Sequence, residues 1–312
     1  MAGVHRRSGN LARVSRTAKA HVLLILITLI WGVTFVVIKN AIQDVSPLLF
    51  NLVRMLLAAA ALLLFYLRHV PRISRATLRA SLPCGLFLWL GYEFQTTGLK
   101  LTTPSKSGFL TGVSVALVPV FLAIFWGKRL KAWTWAGVAT VLAGMYLLTV
   151  PGGGAGNLGL LQGVNTGDVL TLGCAVTFAF QIIYVGRATR EHPFEHIALL
   201  QAAICAVLMA ATLPFIGRIE PVYALWSPRV LWAIAITGLL GTAAAFTVQA
   251  WAQQFTSPTY TALIFALEPV FAWLTSLAVL GEHLGYRSGT GAALILGGIL
   301  VAELKGGSDE AA

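Results

Sequence analysis

Ten runs of about twenty mostly apolar residues divide this chain, near 22–38, 48–67, 82–99, 107–126, 133–150, 168–186, 196–216, 230–251, 259–280 and 286–304. That is the length an α-helix needs to cross a bilayer's hydrocarbon core, roughly 30 Å thick. The runs do not alternate every second residue, so they are not barrel strands. Helices are then the remaining way to satisfy backbone polar groups in lipid. Ten spans use about 200 residues, which leaves only short loops and tails in a chain of 312. With 57% hydrophobic and 11% charged residues, the composition excludes a soluble enzyme and a disordered chain alike. The expected fold class is an all-α membrane protein.

Charge sets the expected orientation. The 22 Lys and Arg outnumber the 11 Asp and Glu. The basic residues lie between apolar runs, so they read as topology signals and contacts to anionic lipid headgroups, with no nucleic-acid partner. With the N-terminus inside, the inner segments carry fifteen Lys and Arg and the outer loops six, while Arg54 falls within a span. That bias places both termini in the cytoplasm. No small-residue cleavage site follows the first apolar run, which is expected to be a retained span. Cys84, Cys174 and Cys205 all lie in apolar runs and match neither a disulfide framework nor a zinc site. No nucleophile–base set, cofactor motif or metal spacing is visible, so the chain is not expected to be an enzyme. His192 and His196 are four apart but have Pro193 between them.

The two halves resemble each other. Adding 154 to a residue number takes Thr102-Thr103-Pro104 to Thr256-Ser257-Pro258, Gly127 to Gly281, Leu130 to Leu284, Gly137 to Gly291 and Gly144 to Gly298. Five spans per half is an odd number, which turns the second half upside down. Inverted repeats are an architecture of secondary transporters, with the site between the halves near the midplane. The expected organisation is a basic N-terminal tail (1–20), a first five-helix repeat (21–150), a Gly-rich linker (151–167), a second five-helix repeat (168–305) and a C-terminal tail (306–312).

Several short motifs carry a resemblance. They are Trp31-Gly32-Val33-Thr34-Phe35 in the first run, Pro47 followed by Arg54 in the second, Leu267-Glu268-Pro269-Val270 in the ninth, Gly281-Glu282-His283-Leu284, and the glycines Gly291, Gly297 and Gly298. In order and spacing the chain resembles the EamA-like branch of the drug/metabolite transporter superfamily over about residues 20–305. The first half departs by reading Gly127-Lys128-Arg129-Leu130, where the family often has an acidic residue after the glycine. The resemblance implies movement of small organic metabolites, often amino acids or related amines, across a bacterial inner membrane. A nucleotide-sugar or other metabolite carrier of the same superfamily and a non-transporting membrane subunit are the alternatives.

Charged and polar groups inside the runs are the site candidates, because a charge at the bilayer centre costs about 2.5–3.5 kcal/mol. Arg54 and Glu93 lie at matching depths, about 10 Å from one end of their spans, so an ion pair is expected, serving as a packing bond, as part of an outer gate or to bind a charged substrate group. Glu268 lies near the middle of its span. It precedes Pro269, whose missing N–H frees carbonyls there, and it suits a substrate ammonium or a proton. Its equivalent at the 154 offset is Ser114. Trp31 with Phe35, and Tyr92 with Glu93, are expected to line the cavity, with Trp31 opposite Glu268 and its indole free to stack or donate. Gln181 and Gln249 are added as amides within spans, and Gln95 is the equivalent of Gln249. Pro119 and Pro269 are expected helix breaks. Gly108 and Gly112, with the glycines of the fifth and tenth runs, are expected to allow close helix contact or a homodimer. Proton coupling through Glu268 and facilitated diffusion are both compatible with this reading.

Overall fold

The computed structural model describes residues 2–102, 104–149, 165–216, 225, 227–280 and 286–306, with side chains except at 2–15, 104, 105, 216, 276–280 and 306. The described chain is nearly all helix: α1 (Ala2–Ala41), α2 (Pro47–Phe65), α3 (Arg75–Leu101), α4 (Pro104–Gly112), α5 (Ser114–Trp126), α6 (Ala132–Thr149), α7 (Thr166–Glu191), α8 (Phe194–Ile216), α9 (Pro228–Ala235), a π-helical stretch (Ile236–Ala244), α10 (Ala245–Ala252), α11 (Pro258–Phe265), α12 (Glu268–Leu280) and α13 (Tyr286–Gly306). A short 3₁₀ turn, Leu67–Arg72, follows α2. Most of the Gly-rich linker, at 151–164, and the motif at 281–284 lie outside the described residues.

Local chemistry fixes the helix starts. Ser46, Ser74 and Ser257 each accept a hydrogen bond from a backbone N–H three residues on, and Pro47 and Pro258 fill first-turn positions that need no donor. Asn165 and Asp168 form a reciprocal capping box at the head of α7. Gly127, at φ 63°, ends α5 in the left-handed region.

Eight helical stretches are long and apolar enough to cross a membrane, at 16–41, 47–65, 106–126, 132–149, 166–191, 194–215, 228–252 and 286–305. The third and ninth expected spans are not among them, for two different reasons. Helix α3 has 27 residues, but Arg75, Arg79, Glu93, Gln95 and Lys100 dilute its apolar character. The ninth run is divided by a turn at Ala266–Leu267 into pieces of 8 and 13 residues. A further difference lies at the N-terminus, where α1 extends back through the basic tail.

The 154 offset recurs in the helix boundaries. Pro104, Ser114 and Ala132 begin α4, α5 and α6, and Pro258, Glu268 and Tyr286 begin α11, α12 and α13. Helices α6 and α13 pack together through these equivalences crossed over. A Cβ at Gly137 would lie 2.6 Å from the Gly298 carbonyl oxygen, and one at Gly144 would lie 2.6 Å from that of Gly291. Low-numbered positions on one helix meet high-numbered ones on the other, so the pair is antiparallel. Gly108 meets nothing within 4 Å, and Gly112 meets the flexible Met145 side chain, so that pair does not form the expected close contact.

Candidate functional site

The helices converge on one cavity of about 80 Å³. Helix α1 supplies Trp31, Thr34, Phe35 and Ile38, α2 supplies Arg54, and α3 supplies Tyr92 and Gln95. The α4–α5 junction adds Thr111, Gly112, Ser114 and Val115, and α7 adds Phe178, Gln181 and Ile182. Thr237 and Gly241 come from the π-helical stretch, Phe246 and Gln249 from α10, and Phe265 and Glu268 from the α11–α12 break.

Of the residues singled out in the sequence, Trp31, Phe35, Arg54, Tyr92, Ser114, Gln181, Gln249 and Glu268 line this cavity. Glu93 is not. Tyr92 and Gln95 are three apart and share a helix face, whereas Glu93 is turned about 100° from Tyr92. The expected Arg54–Glu93 ion pair is absent among the described residues. One oxygen of Glu93, Oε2, is buried without a hydrogen-bond partner.

Arg54 is 3% exposed. Its guanidinium carbon sits 4.0 Å from the centroid of the Tyr92 ring and 5.9 Å from that of Phe50, and its buried Nε has no hydrogen-bond partner. A desolvated cation–π contact is worth about 2 kcal/mol, less than the several kcal/mol that desolvating an ion costs. The aromatic face is therefore a partial counterpart to the charge. The Asn51 amide group of α2 donates to the Tyr92 carbonyl at 3.1 Å and accepts from the Thr96 hydroxyl at 3.1 Å, which fixes α3 against α2 beside this contact.

Glu268 begins α12, directly after the break, and its repeat equivalent Ser114 begins α5. Pro269 falls in the first turn of α12, where a proline is tolerated, and the preceding helix stops just before it. Pro119 does not break its helix. It lies inside α5, and the interruption occurs at Val113, next to Gly112. Among the described residues no hydrogen bond or ion pair engages the Glu268 carboxylate.

Trp31 is fixed rather than free. Its indole N–H donates to the Gly241 carbonyl at 2.8 Å, and its ring meets Phe265 edge-on at 4.8 Å. The π-helical winding, in which Thr242 donates its hydroxyl proton to Thr237 five residues back, belongs to the same stretch as that acceptor. Trp31 does not stand opposite Glu268. Helices α1 and α12 are neighbours, and a Cβ at Gly32 would lie 2.8 Å from the Glu268 carbonyl oxygen. Gln181 and Gln249 belong to a buried amide ladder. Gln249 donates to Gln181 at 3.1 Å and to Gln253 at 3.2 Å, while Gln181 donates to Gln201 at 3.0 Å. These amides bind α7, α8 and α10 to one another.

Thr34, Ile38, Thr111, Phe178, Thr237, Gly241, Phe246 and Phe265 were not among the sequence candidates, and the repeat would have found several of them. At the 154 offset, Tyr92 corresponds to Phe246, Gln95 to Gln249 and Thr111 to Phe265, and every one of these lines the cavity. For the first helices of each half the offset is 147, the distance from Pro47 to Phe194 at the heads of α2 and α8. Under it Trp31 corresponds to Phe178, Thr34 to Gln181 and Phe35 to Ile182, again all on the wall.

Polar clusters tie the helices together beyond the cavity. In one, the Asp168 carboxylate of α7 accepts from the Thr102 hydroxyl at 2.7 Å, from the Asn165 backbone at 3.0 Å and from the Lys106 ammonium. Lys39 of α1 donates to the Thr102 carbonyl at 3.0 Å. In the other, His21 of α1 meets Thr256 at 3.0 Å and the Glu303 carboxylate of α13 at 2.9 Å. Thr17 donates to the Phe255 carbonyl at 3.3 Å. Thr102 and Thr256 are 154 apart, and Asp168 and His21 are 147 apart.

The same assembly is found elsewhere. A solved crystal structure shares the fold, with a TM-score of 0.73 at 21% identity, covering 93% of this chain and 98% of its own. Among curated relatives, an uncharacterized transporter of Archaeoglobus fulgidus is 32% identical over 90% of this chain and 85% of its own length. The uncharacterized transporter YoaV of Bacillus subtilis is 25% identical over 89% and 94%. The uncharacterized inner membrane transporter YedA of Escherichia coli is 29% identical over 82% and 81%. These relatives are named as transporters, in agreement with the expectation that the chain is not an enzyme. The model of one family matches the chain twice, across residues 18–150 and again across 165–304, and the chain belongs to that family, the EamA-like transporter family.

Proposed function

We propose that this membrane transporter is a secondary carrier that moves small organic metabolites, amino acids or related amines, by alternating access around the central cavity. The observation that carries the reading is the cavity wall, to which repeat-equivalent residues of both halves contribute. In this reading the two matched segments are five-helix repeats related by inversion. The crossed glycine contacts of α6 and α13 support that relation, because a two-fold axis perpendicular to two antiparallel helices exchanges equivalent positions.

The Thr102–Asp168–Lys106 and His21–Thr256–Glu303 clusters act as latches, one at each end. Each joins the first half to the second at equivalent positions, and release of one at a time exposes the cavity to one side and then the other. Loop charge and the inner-membrane relative YedA favour the cell inner membrane with both termini cytoplasmic, which puts the Asp168 latch outside. A single cation on the wall speaks against a nucleotide sugar, whose phosphates carry more negative charge than one guanidinium answers.

Uptake of radiolabelled amino acids and amines into proteoliposomes, with and without a pH gradient, tests the reading. Saturable uptake of at least one such compound is expected, and stimulation by the gradient would show proton coupling. Liposomes no more permeable than protein-free controls would favour a non-transporting membrane subunit.

A further inference from the structure

The cavity's two charges sit at positions where the halves differ. Arg54 corresponds under the 147 offset to Gln201, and Glu268 under the 154 offset to Ser114. One half therefore contributes a cation to the wall and the other a carboxyl group. Neither charge has an ion-pair partner within 4.0 Å among the described residues, although Glu93 is near enough to act on Arg54 through space. Arg54 is 97% buried by its 3% exposure, lies on the cavity wall and keeps a buried Nε without a partner. Glu93 makes no salt bridge to it and does not line the cavity.

Building on the reading of this cavity as the substrate's place, we infer that Arg54, backed by the Tyr92 ring, is the subsite for the carboxylate of a small zwitterion whose ammonium group faces Glu268. Charge balance selects this class. A zwitterion neutralises both wall charges and carries no net charge through the membrane. A simple amine leaves the guanidinium unpaired and buried, and a simple carboxylate answers it but leaves the Glu268 carboxyl without a hydrogen-bond partner. A phosphate monoester brings more negative charge than one guanidinium answers. The planar guanidinium held against a ring keeps its remaining donors in a fixed fork, the geometry that a carboxylate accepts from.

The test sets the standard amino acids against their amides, which keep the ammonium and lose the carboxylate. Binding is read by thermal stabilisation of the purified full-length protein in detergent, and uptake in proteoliposomes. At least one small amino acid of the size of L-alanine should stabilise the wild type, and its amide should not. Arg54→Gln should abolish that stabilisation. Arg54→Lys keeps the charge, and so the fold, but presents no fork, and it should weaken binding about tenfold or more. No response to any amino acid, an equal response to acid and amide, or Arg54→Lys binding as wild type would overturn the assignment. Arg54-dependent binding without uptake would leave the subsite standing and reject the transport reading. Uptake of amides or simple amines, untouched by Arg54→Lys, would do the reverse.

Discussion

Glu268 is a carboxylate placed at a helix break on a cavity wall, with no partner among the described residues. As an ammonium site it should respond to charge more than to size. Glu268→Gln is therefore expected to weaken substrate binding at every pH at which the wild type binds, measured by thermal stabilisation across a pH series. A variant that keeps affinity but loses its response to the proton gradient would make Glu268 a proton carrier instead. Trp31 holds the facing π-helical stretch through one hydrogen bond. Trp31→Phe should lower stability by about 0.5–1.5 kcal/mol, read from the denaturation midpoint with and without substrate. Both residues were legible in the sequence because a charge or an indole stands out in the middle of an apolar run. The bond between Trp31 and Gly241 was not, because nothing in the residue types of Ile236–Ala244 marks a switch from α to π winding. Glu93 misled for a related reason. Depth along a helix follows from counting residues, but the direction of a side chain depends on how the helix is rotated against its neighbours.

At the scale of elements, the close packing of α6 on α13 is the most direct consequence of the glycine pattern. Backbone faces backbone at Gly144 and Gly291, so neither position has a flexible side chain that could yield to an added Cβ. Gly144→Val is expected to destabilise the protein by about 1–3 kcal/mol as an overpacked contact, and Gly291→Val by a similar amount. Gly108→Val, which meets nothing within 4 Å, should be neutral in the same thermal measurement. A strong effect at Gly108 would indicate that a second copy of the chain packs on that face. The 154 register read from the sequence recurs in the helix boundaries, but Pro119 was a poor guide to the break in the fourth run. Its counterpart at the 154 offset is Trp273. A break conserved in position between the halves therefore owes nothing to Pro119, and the two interruptions sit instead at Val113 and Ala266–Leu267.

For the whole molecule, the two latches make a directional claim. Each is a small set of hydrogen bonds to a charged group, of the kind worth about 1.5–3 kcal/mol. Loss of one should therefore shift the balance between outward-open and inward-open states by roughly ten- to a hundredfold. Asp168→Asn removes the charge that Lys106 and Thr102 hold, and should favour opening at the outer end. His21→Gln breaks the bond to Glu303, and should favour opening at the inner end. The readout is a cysteine introduced at Ser114 on the cavity wall, in a chain whose own Cys84, Cys174 and Cys205 are buried. Labelled with an impermeant thiol reagent in vesicles of known sidedness, the Asp168→Asn protein should react faster from outside only, and the His21→Gln protein faster from inside only. The sequence carried both latches as the offset pairs Thr102 with Thr256 and Asp168 with His21. It did not single out the charged partners, because Lys106 and Glu303 stand at non-equivalent positions and meet their targets only through tertiary packing. If both variants raise labelling from the same side, the clusters are packing bonds at one end of the bundle, and alternating access must be gated elsewhere.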